Sequence, residues 1–298
     1  MRAVLFHETG GPEVLSIEET DRPEPGEGEV LIRVRAASVN PADWKFRRGY
    51  MEASLPAIPG YDGSGTVEES NDDRFSPGDD VFGNIRSTYA EYTAAPADAI
   101  AKMSDGLSHE QAAAIPVAGL TAWQPLFDKG GLERGQTALI AGAAGGVGHF
   151  AVQLAHLAGA HVIGTGSSAN RDFVLGLGAD EYVDYTQQDV SEAVSDADVV
   201  LDTVGGDVTA TLVPTLREGG VIFTIASAPP EEAARERGAR AVMHVTSPNP
   251  EELTRIGEQV ASGEVGIELS EVLPLDQVQR AHELSESGHT RGKIVLTI

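Results

Sequence analysis

Ala138-Leu-Ile-Ala-Gly-Ala-Ala-Gly-Gly-Val-Gly148, followed by an apolar stretch from Phe150 to Ala158, decides the fold. A short apolar run breaks into glycines, and the glycines open an apolar helix. Gly142, Gly145 and Gly148 recur at every third position. The physical reading is a strand that ends in a tight turn, after which bare backbone N–H groups at a helix N-terminus face a pyrophosphate. The context supports that reading. A second strand, His161-Val-Ile-Gly-Thr165, follows at the spacing of a strand–helix–strand unit. Gly142, Ala144, Gly145, Gly146, Val147 and Gly148 are therefore the expected pyrophosphate contacts.

Working outward from this motif, strands and helices alternate. Strands are expected at 138–141, 161–165, 181–183, 199–202, 221–225 and 241–245, with helices at 147–158 and 170–177. Repeated strand–helix units imply a parallel sheet with right-handed crossovers, and six strands fit a doubly wound nucleotide fold. Before this region, 2–6, 29–37, 63–69, 80–82 and 89–94 read as short strands divided by Gly/Pro turns, a mostly β, barrel-like pattern. Ser108 is placed to cap a helix that runs to Ala114. After it, 251–262 and 275–287 read as amphipathic helices, and 269–273 and 293–298 as strands. The fold class is α/β. The charge-rich stretch 231–240 reads as a solvated helix or loop.

The chain has 298 residues and no cysteine. Disulfides, thiolate catalysis and cysteine zinc sites are thereby excluded, and a cytoplasmic location is the default expectation. The start of the chain lacks the long apolar core of a signal peptide. The most apolar region, 137–165, is too interrupted by glycines, histidines and Gln153 to span a membrane. A net charge of −25 argues against nucleic acid and anionic membranes as partners. Only four of the basic residues are lysines. Such acidity resembles adaptation to a high-salt cytoplasm; the plainer alternative is an acidic protein from a GC-rich genome.

Dinucleotide folds choose between NAD and NADP at the end of the second strand, where an acidic residue bonds the ribose 2′-OH and repels a 2′-phosphate. Here that stretch reads Thr165-Gly-Ser-Ser-Ala-Asn-Arg171, with no carboxylate before Asp172. Ser167 and Ser168 can donate to a phosphate and Arg171 can pair with it, so the expected cofactor is NADPH. Tyr185 is a further phosphate or adenine contact, or a core residue. Val204, near the end of the fourth strand, and Ala226, after the fifth, belong to the cofactor edge of the sheet.

Further segments carry a family resemblance. They are Gly10-Gly-Pro-Glu-Val-Leu15, Pro25-Gly-Glu-Gly-Glu-Val-Leu-Ile32, Ala37-Ser-Val-Asn-Pro-Ala-Asp43 and Pro59-Gly-Tyr-Asp-Gly-Ser-Gly65. Ile115-Pro-Val-Ala-Gly-Leu-Thr-Ala122, Leu175-Gly-Leu-Gly-Ala-Asp180 and Gly292-Lys-Ile-Val295 complete the set. In this order they resemble the zinc-lacking quinone oxidoreductase branch of the medium-chain dehydrogenase/reductase superfamily. The resemblance implies a GroES-like catalytic domain over 1–118, a Rossmann domain over 119–246, and a return to the catalytic domain over 247–298. It also implies Thr121 near the nicotinamide and a homodimer joined through Rossmann edge strands.

In the zinc-dependent branch, ligands stand at the positions of Asn40, Tyr61 and Val117. Asn, Tyr and Val cannot form a His/Cys zinc site, so no metal is expected. His149 and His156, seven apart on one helix, read as packing or surface residues. Without a strong electrophile, reduction of an isolated ketone is disfavoured. A quinone or an α,β-unsaturated carbonyl gives a delocalised anion that needs only a few hydrogen-bond donors. Asn40 and Tyr61 are the expected donors, and Lys45 a contact to ribose or substrate. Asn40 also reads as an Asx turn before Pro41, and Asp43 as a partner for Lys45 or a nearby Arg. The leading expectation is an NADPH:quinone reductase. An enone, enal or enoyl-thioester reductase is the close alternative, and a non-catalytic NADPH-binding protein the more distant one.

Overall fold

The computed structural model describes residues 1–52 and 54–298. The chain forms two compact units, one of residues 1–120 with 248–298 and one of residues 121–247. In the first, the strands are β1 (Arg2–Leu5), β2 (Ser16–Glu19), β3 (Glu29–Val39), β4 (Asp62–Ser70), β5 (Asp80–Gly83), β6 (Tyr92–Pro96) and β7 (Ile100–Lys102). The second unit contributes β8 (Thr137–Ala141), β9 (His161–Gly166), β10 (Glu181–Asp184), β11 (Ala197–Asp202), β12 (Leu216–Thr224) and β13 (Arg240–Met243). The chain then returns to the first unit with β14 (Leu269–Pro274) and β15 (Lys293–Thr297).

In the first unit, seven strands form a sheet in the order β14-β15-β3-β4-β5-β7, with β6 also paired to β3. β3 is its spine: it pairs antiparallel with β15, β4 and β6. Alternating apolar residues of β3 are buried, Val30 and Ile32 in one cluster, Ala37 and Val39 in another. β1 and β2 form a separate antiparallel pair. β2 was not expected: Ser-Ile-Glu-Glu offers one apolar residue, and its ladder to β1 supplies the order instead. The strand expected at 89–94 lies at Tyr92–Pro96, and Tyr89 is a fully buried side chain outside it.

The second unit is a six-stranded parallel sheet in the order β10-β9-β8-β11-β12-β13, the doubly wound arrangement. Its central strands are covered on both faces, so they read as continuous apolar runs: Ala138, Leu139, Ile140 and Ala141 are all buried. The helix Gly148–Leu157 packs on β8 and β9. His149 lies inside and His156 on the surface.

Candidate active site

Three adjacent strands of the first unit set the first group of expected residues. Asn40 directly follows β3 and is the N-cap of the helix Pro41–Arg47. Asp62 opens β4 and Lys293 opens β15; the ladders pair Ser38 with Asp62 and Val39 with Ile294. The three side chains therefore meet. Lys293 Nζ donates to Asn40 Oδ1 at 2.6 Å, and Asn40 Nδ2 donates to Asp62 Oδ2 at 2.8 Å. Lys293 Nζ lies 3.8 Å from the same carboxylate oxygen. Asn40 and Lys293 are each 3% exposed and Asp62 is fully buried. The other Asp62 oxygen accepts the backbone N–H of Val117 at 2.8 Å.

Asp43 was expected to pair with Lys45 or an arginine, and it does not. Its carboxylate accepts the backbone N–H of Asn40 at 2.7 Å and of Gly60 at 3.1 Å. A helix start has N–H groups without intrahelical acceptors, and a buried carboxylate three residues on meets that need. Lys45 instead holds its ammonium over the Trp44 ring, 5.6 Å from its centroid. Burial pushes the Asp43 carboxyl up to about 7, against the pull of the Asn40 N–H, and the Asp62 charge adds to the rise. Burial likewise raises Asp62 to about 6, opposed chiefly by Lys293. Lys293 is lowered by burial, opposed by both carboxylates.

Tyr61 sits at the end of the loop before β4, partly exposed, its ring edge-on to Phe46 with centroids 6.2 Å apart. Its carbonyl accepts from Asn84 Nδ2 at 2.8 Å and from the Ile85 N–H at 3.0 Å, which fixes the loop. Its hydroxyl makes no hydrogen bond to another described residue. Burial first, and the Asp43 charge second, raise its pKa, so it is a neutral donor.

In the second unit, β8 ends at Ala141 and the chain turns through Gly142 at φ +73°. The helix begins at Gly148, where a Cβ would stand 2.2 Å from the Gly142 carbonyl oxygen. Only glycine allows this approach, and the turn of Ala144, Gly145, Gly146 and Val147 presents backbone without large polar side chains. That surface fits a pyrophosphate at a helix N-terminus. At the end of β11, Asp202 accepts the N–H groups of Val204 and Gly205 at 2.9 and 3.0 Å, folding the loop so that Val204 is half exposed. Ala226, beyond β12, is exposed too.

The expected 2′-phosphate patch needs a correction. The stretch 165–171 has no carboxylate of its own, but β10 lies beside β9 and brings one: Ser168 Oγ donates to Asp184. Hydrogen bonds from Ser168 and Thr186 hold the Asp184 carboxyl below its usual range. Arg171 is exposed, its guanidinium 5.9 Å from the Tyr182 ring centroid, and Ser167 gives its carbonyl to the Tyr182 hydroxyl at 2.6 Å. Tyr185 is 61% exposed and so packs no core.

Thr121 carries a feature that the sequence did not reveal. Its hydroxyl lies 2.5 Å from that of Thr246, which is 3.4 Å from His244 Nε2; His244 Nδ1 is 3.0 Å from Lys129 Nζ. An ammonium only donates, so Nδ1 accepts and the ring proton is on Nε2. Burial and then the Lys129 charge lower His244 to about 4. The polarity of the row runs from Lys129 toward Thr121, whose own hydrogen is left for an acceptor outside the row. Elsewhere, no group of three or more His, Asp or Glu among the described residues is gathered to hold a metal ion. Nor is any helix among them long and apolar enough to cross a membrane.

Comparison with known proteins agrees with this architecture. The alcohol dehydrogenase GroES-like domain model matches residues 26–105, and the zinc-binding dehydrogenase model matches residues 177–296. The chain is 36% identical to 2-methylene-furan-3-one reductase of Solanum lycopersicum, over 99% of this chain and 79% of that one. Among solved structures, the quinone oxidoreductase of Coxiella burnetii superposes with TM-score 0.94 at 38% identity, over 100% of this chain and 99% of that one. The Escherichia coli quinone oxidoreductase complexed with NADPH does so with TM-score 0.91 at 28% identity, over the whole of both chains. The chain belongs to the medium-chain dehydrogenase/reductase superfamily, in its zinc-lacking quinone oxidoreductase branch. It is an oxidoreductase of that family.

Proposed function

We propose that this protein reduces conjugated carbonyl compounds, quinones first, with NADPH and without a metal ion. What supports this reading is the presence of two neutral donors, Asn40 and Tyr61, at positions where the zinc-dependent branch has ligands. Tyr61 offers a hydroxyl with no partner among the described residues. Asn40 offers the amide hydrogen left over after Asp62 has taken the other. Bound NADPH supplies a hydride. Tyr61 and Asn40 would donate hydrogen bonds to the substrate oxygen, where the negative charge left by hydride addition rests. Two neutral donors suit a charge already spread over a quinone or enone, and they would be weak support for a localised alkoxide. Tyr61, with its raised pKa, holds its proton through neutral pH and is the group placed to give it up to that oxygen. The glycine turn at 142–148 would hold the pyrophosphate, Arg171 with Ser167 the 2′-phosphate, and Thr121 an acceptor on the nicotinamide, while Ser168 stays engaged with Asp184. Lys45 serves as an outer contact to ribose or substrate.

An enone as the principal substrate is the second reading. It is favoured by the 36% identity to a reductase whose named substrate is a methylene-furanone. The exposed Met243 on edge strand β13, with the exposed Val245 just beyond it, supports pairing of two copies there. Sedimentation at micromolar concentration would test that dimer.

The deciding experiment is NADPH oxidation against quinones, enones, enals and saturated ketones, before and after dialysis against a strong chelator. Turnover of quinones or enones that survives chelation, and falls in Tyr61→Phe with NADPH affinity retained, is the expected result. A saturated ketone as best substrate, or stoichiometric zinc whose removal abolishes turnover, overturns the proposal.

A further inference from the structure

We propose that Lys293 is a positioning residue of this reaction: its buried ammonium fixes the Asn40 side-chain amide so that one N–H is always presented to the substrate oxygen. The inference rests on the donor role given to Asn40 above.

A side-chain amide can rotate by half a turn and exchange its oxygen and nitrogen. Nothing in Asn40 alone prevents this. Here the two partners are of opposite kind. An ammonium has only donors, so it selects Oδ1; an ionised carboxylate has only acceptors, so Asp62 selects Nδ2. The amide is thereby locked by a 2.6 Å and a 2.8 Å bond at a site with almost no solvent. The ammonium on Oδ1 also draws electron density from the conjugated nitrogen and strengthens the free N–H as a donor.

Burying a lysine is costly, and a folded protein has cheaper ways to complete a sheet. Lys102 and Lys129 keep their ammoniums in reach of solvent. Lys293 is the one placed among two carboxylates and an amide, with Tyr89 buried beside them. Its arrival depends on β15 docking against β3, from 253 residues further along the chain than Asn40. A plain structural account would make Lys293 only the counter-charge of Asp62. That account and the positioning account differ in what removal of Asn40 does.

The test is a double-mutant cycle on the full-length protein: wild type, Asn40→Ala, Lys293→Met, and both together. Turnover on an enone, KM, NADPH affinity and melting temperature are measured for each. Positioning through Asn40 predicts that each single change lowers kcat at least about tenfold. It also predicts that the pair is no slower than the slower single variant, with NADPH affinity unmoved. Lys293→Gln, which keeps a donor without the charge, is carried through the same cycle and supplies the answer should Lys293→Met fail to fold. It should retain more turnover than Lys293→Met. A folded Lys293 variant with wild-type kcat, or losses that simply multiply in the pair, overturns the inference. Wild-type turnover in Asn40→Ala is a different failure: it removes the donor role of Asn40 itself, and the inference with it.

Discussion

Burial shifts two of the buried carboxyls and two of the buried imidazoles in opposite senses. Asp43 and Asp62 are raised from 3.8 to about 7 and about 6. His244 and His282 are lowered from 6.5 to about 4 and about 3, chiefly by burial. A raised carboxyl contributes stability that is full below its unfolded pKa and is lost as pH climbs to the folded value. A lowered imidazole contributes stability that is full above 6.5 and is lost as pH falls toward its folded value. Between about pH 4.5 and 6 the two pairs offset each other. Single variants should unmask them. Measured by urea unfolding, the stability of Asp43→Asn minus that of wild type should rise with pH by about 1.4 kcal/mol per unit, and that of His244→Gln should fall by a similar amount. The slope is the readout, since either change also removes hydrogen bonds. Parallel curves for both variants and wild type would contradict the burial account. A second residue-scale prediction concerns cofactor choice. Arg171→Ala should weaken NADPH about ten- to a hundredfold, as the loss of a charge-assisted bond would, and NADH far less. Asp184→Asn, which removes the carboxylate beside Ser168, should act in the opposite sense on NADPH. Titration of both nucleotides by fluorescence decides; equal losses for NADPH and NADH in Arg171→Ala would end the 2′-phosphate assignment.

Among the elements, the glycine turn is where sequence and structure agree most closely, because one steric fact governs it. Gly148→Ala would drive a methyl into the Gly142 carbonyl. The expected outcome is a loss of about 1–3 kcal/mol in stability together with weaker nucleotide binding, seen as a lower melting temperature and a raised NADPH dissociation constant. An unchanged pair of values would mean that the helix can shift away at no cost. The parallel strands were legible for the same kind of local reason: strands covered on both faces read as apolar runs. The helix start at Ser108 was legible too, and Ser108 accepts the Gln111 N–H at 3.2 Å. What was not legible arrives from across the fold. Asp184 reaches Ser168 from the next strand, and Lys293 reaches Asn40 through a ladder between distant segments. Asp43 read as a partner for Lys45 or an arginine because its two N–H donors belong to backbone, which a list of side chains does not show. The stretch Gln124–Lys129 winds as a π-helix around Pro125, and it places Lys129 against His244. A proline inside an apolar stretch gave no warning of that turn.

At the scale of the whole molecule, a charge of −25 opposes compaction. Raising salt from 0.1 M to 1 M shortens the screening length from about 10 Å to about 3 Å. The melting temperature should therefore rise with KCl, on the order of 5 °C over that range. A flat or falling curve would remove the high-salt reading and leave the acidity as composition. The order of the chain has a consequence for synthesis as well. As translation proceeds, β3 emerges early, and its residues 36–39 lack a ladder partner on one side until β15 follows. All of residues 121–247 are made in the interval. The parallel-sheet unit can therefore settle while the first unit still waits with an open edge, and the Asn40–Asp62–Lys293 contact is among the last things the growing chain can form. In the growing chain the glycine turn at 142–148 is thus complete before the lysine that fixes the Asn40 amide has been made.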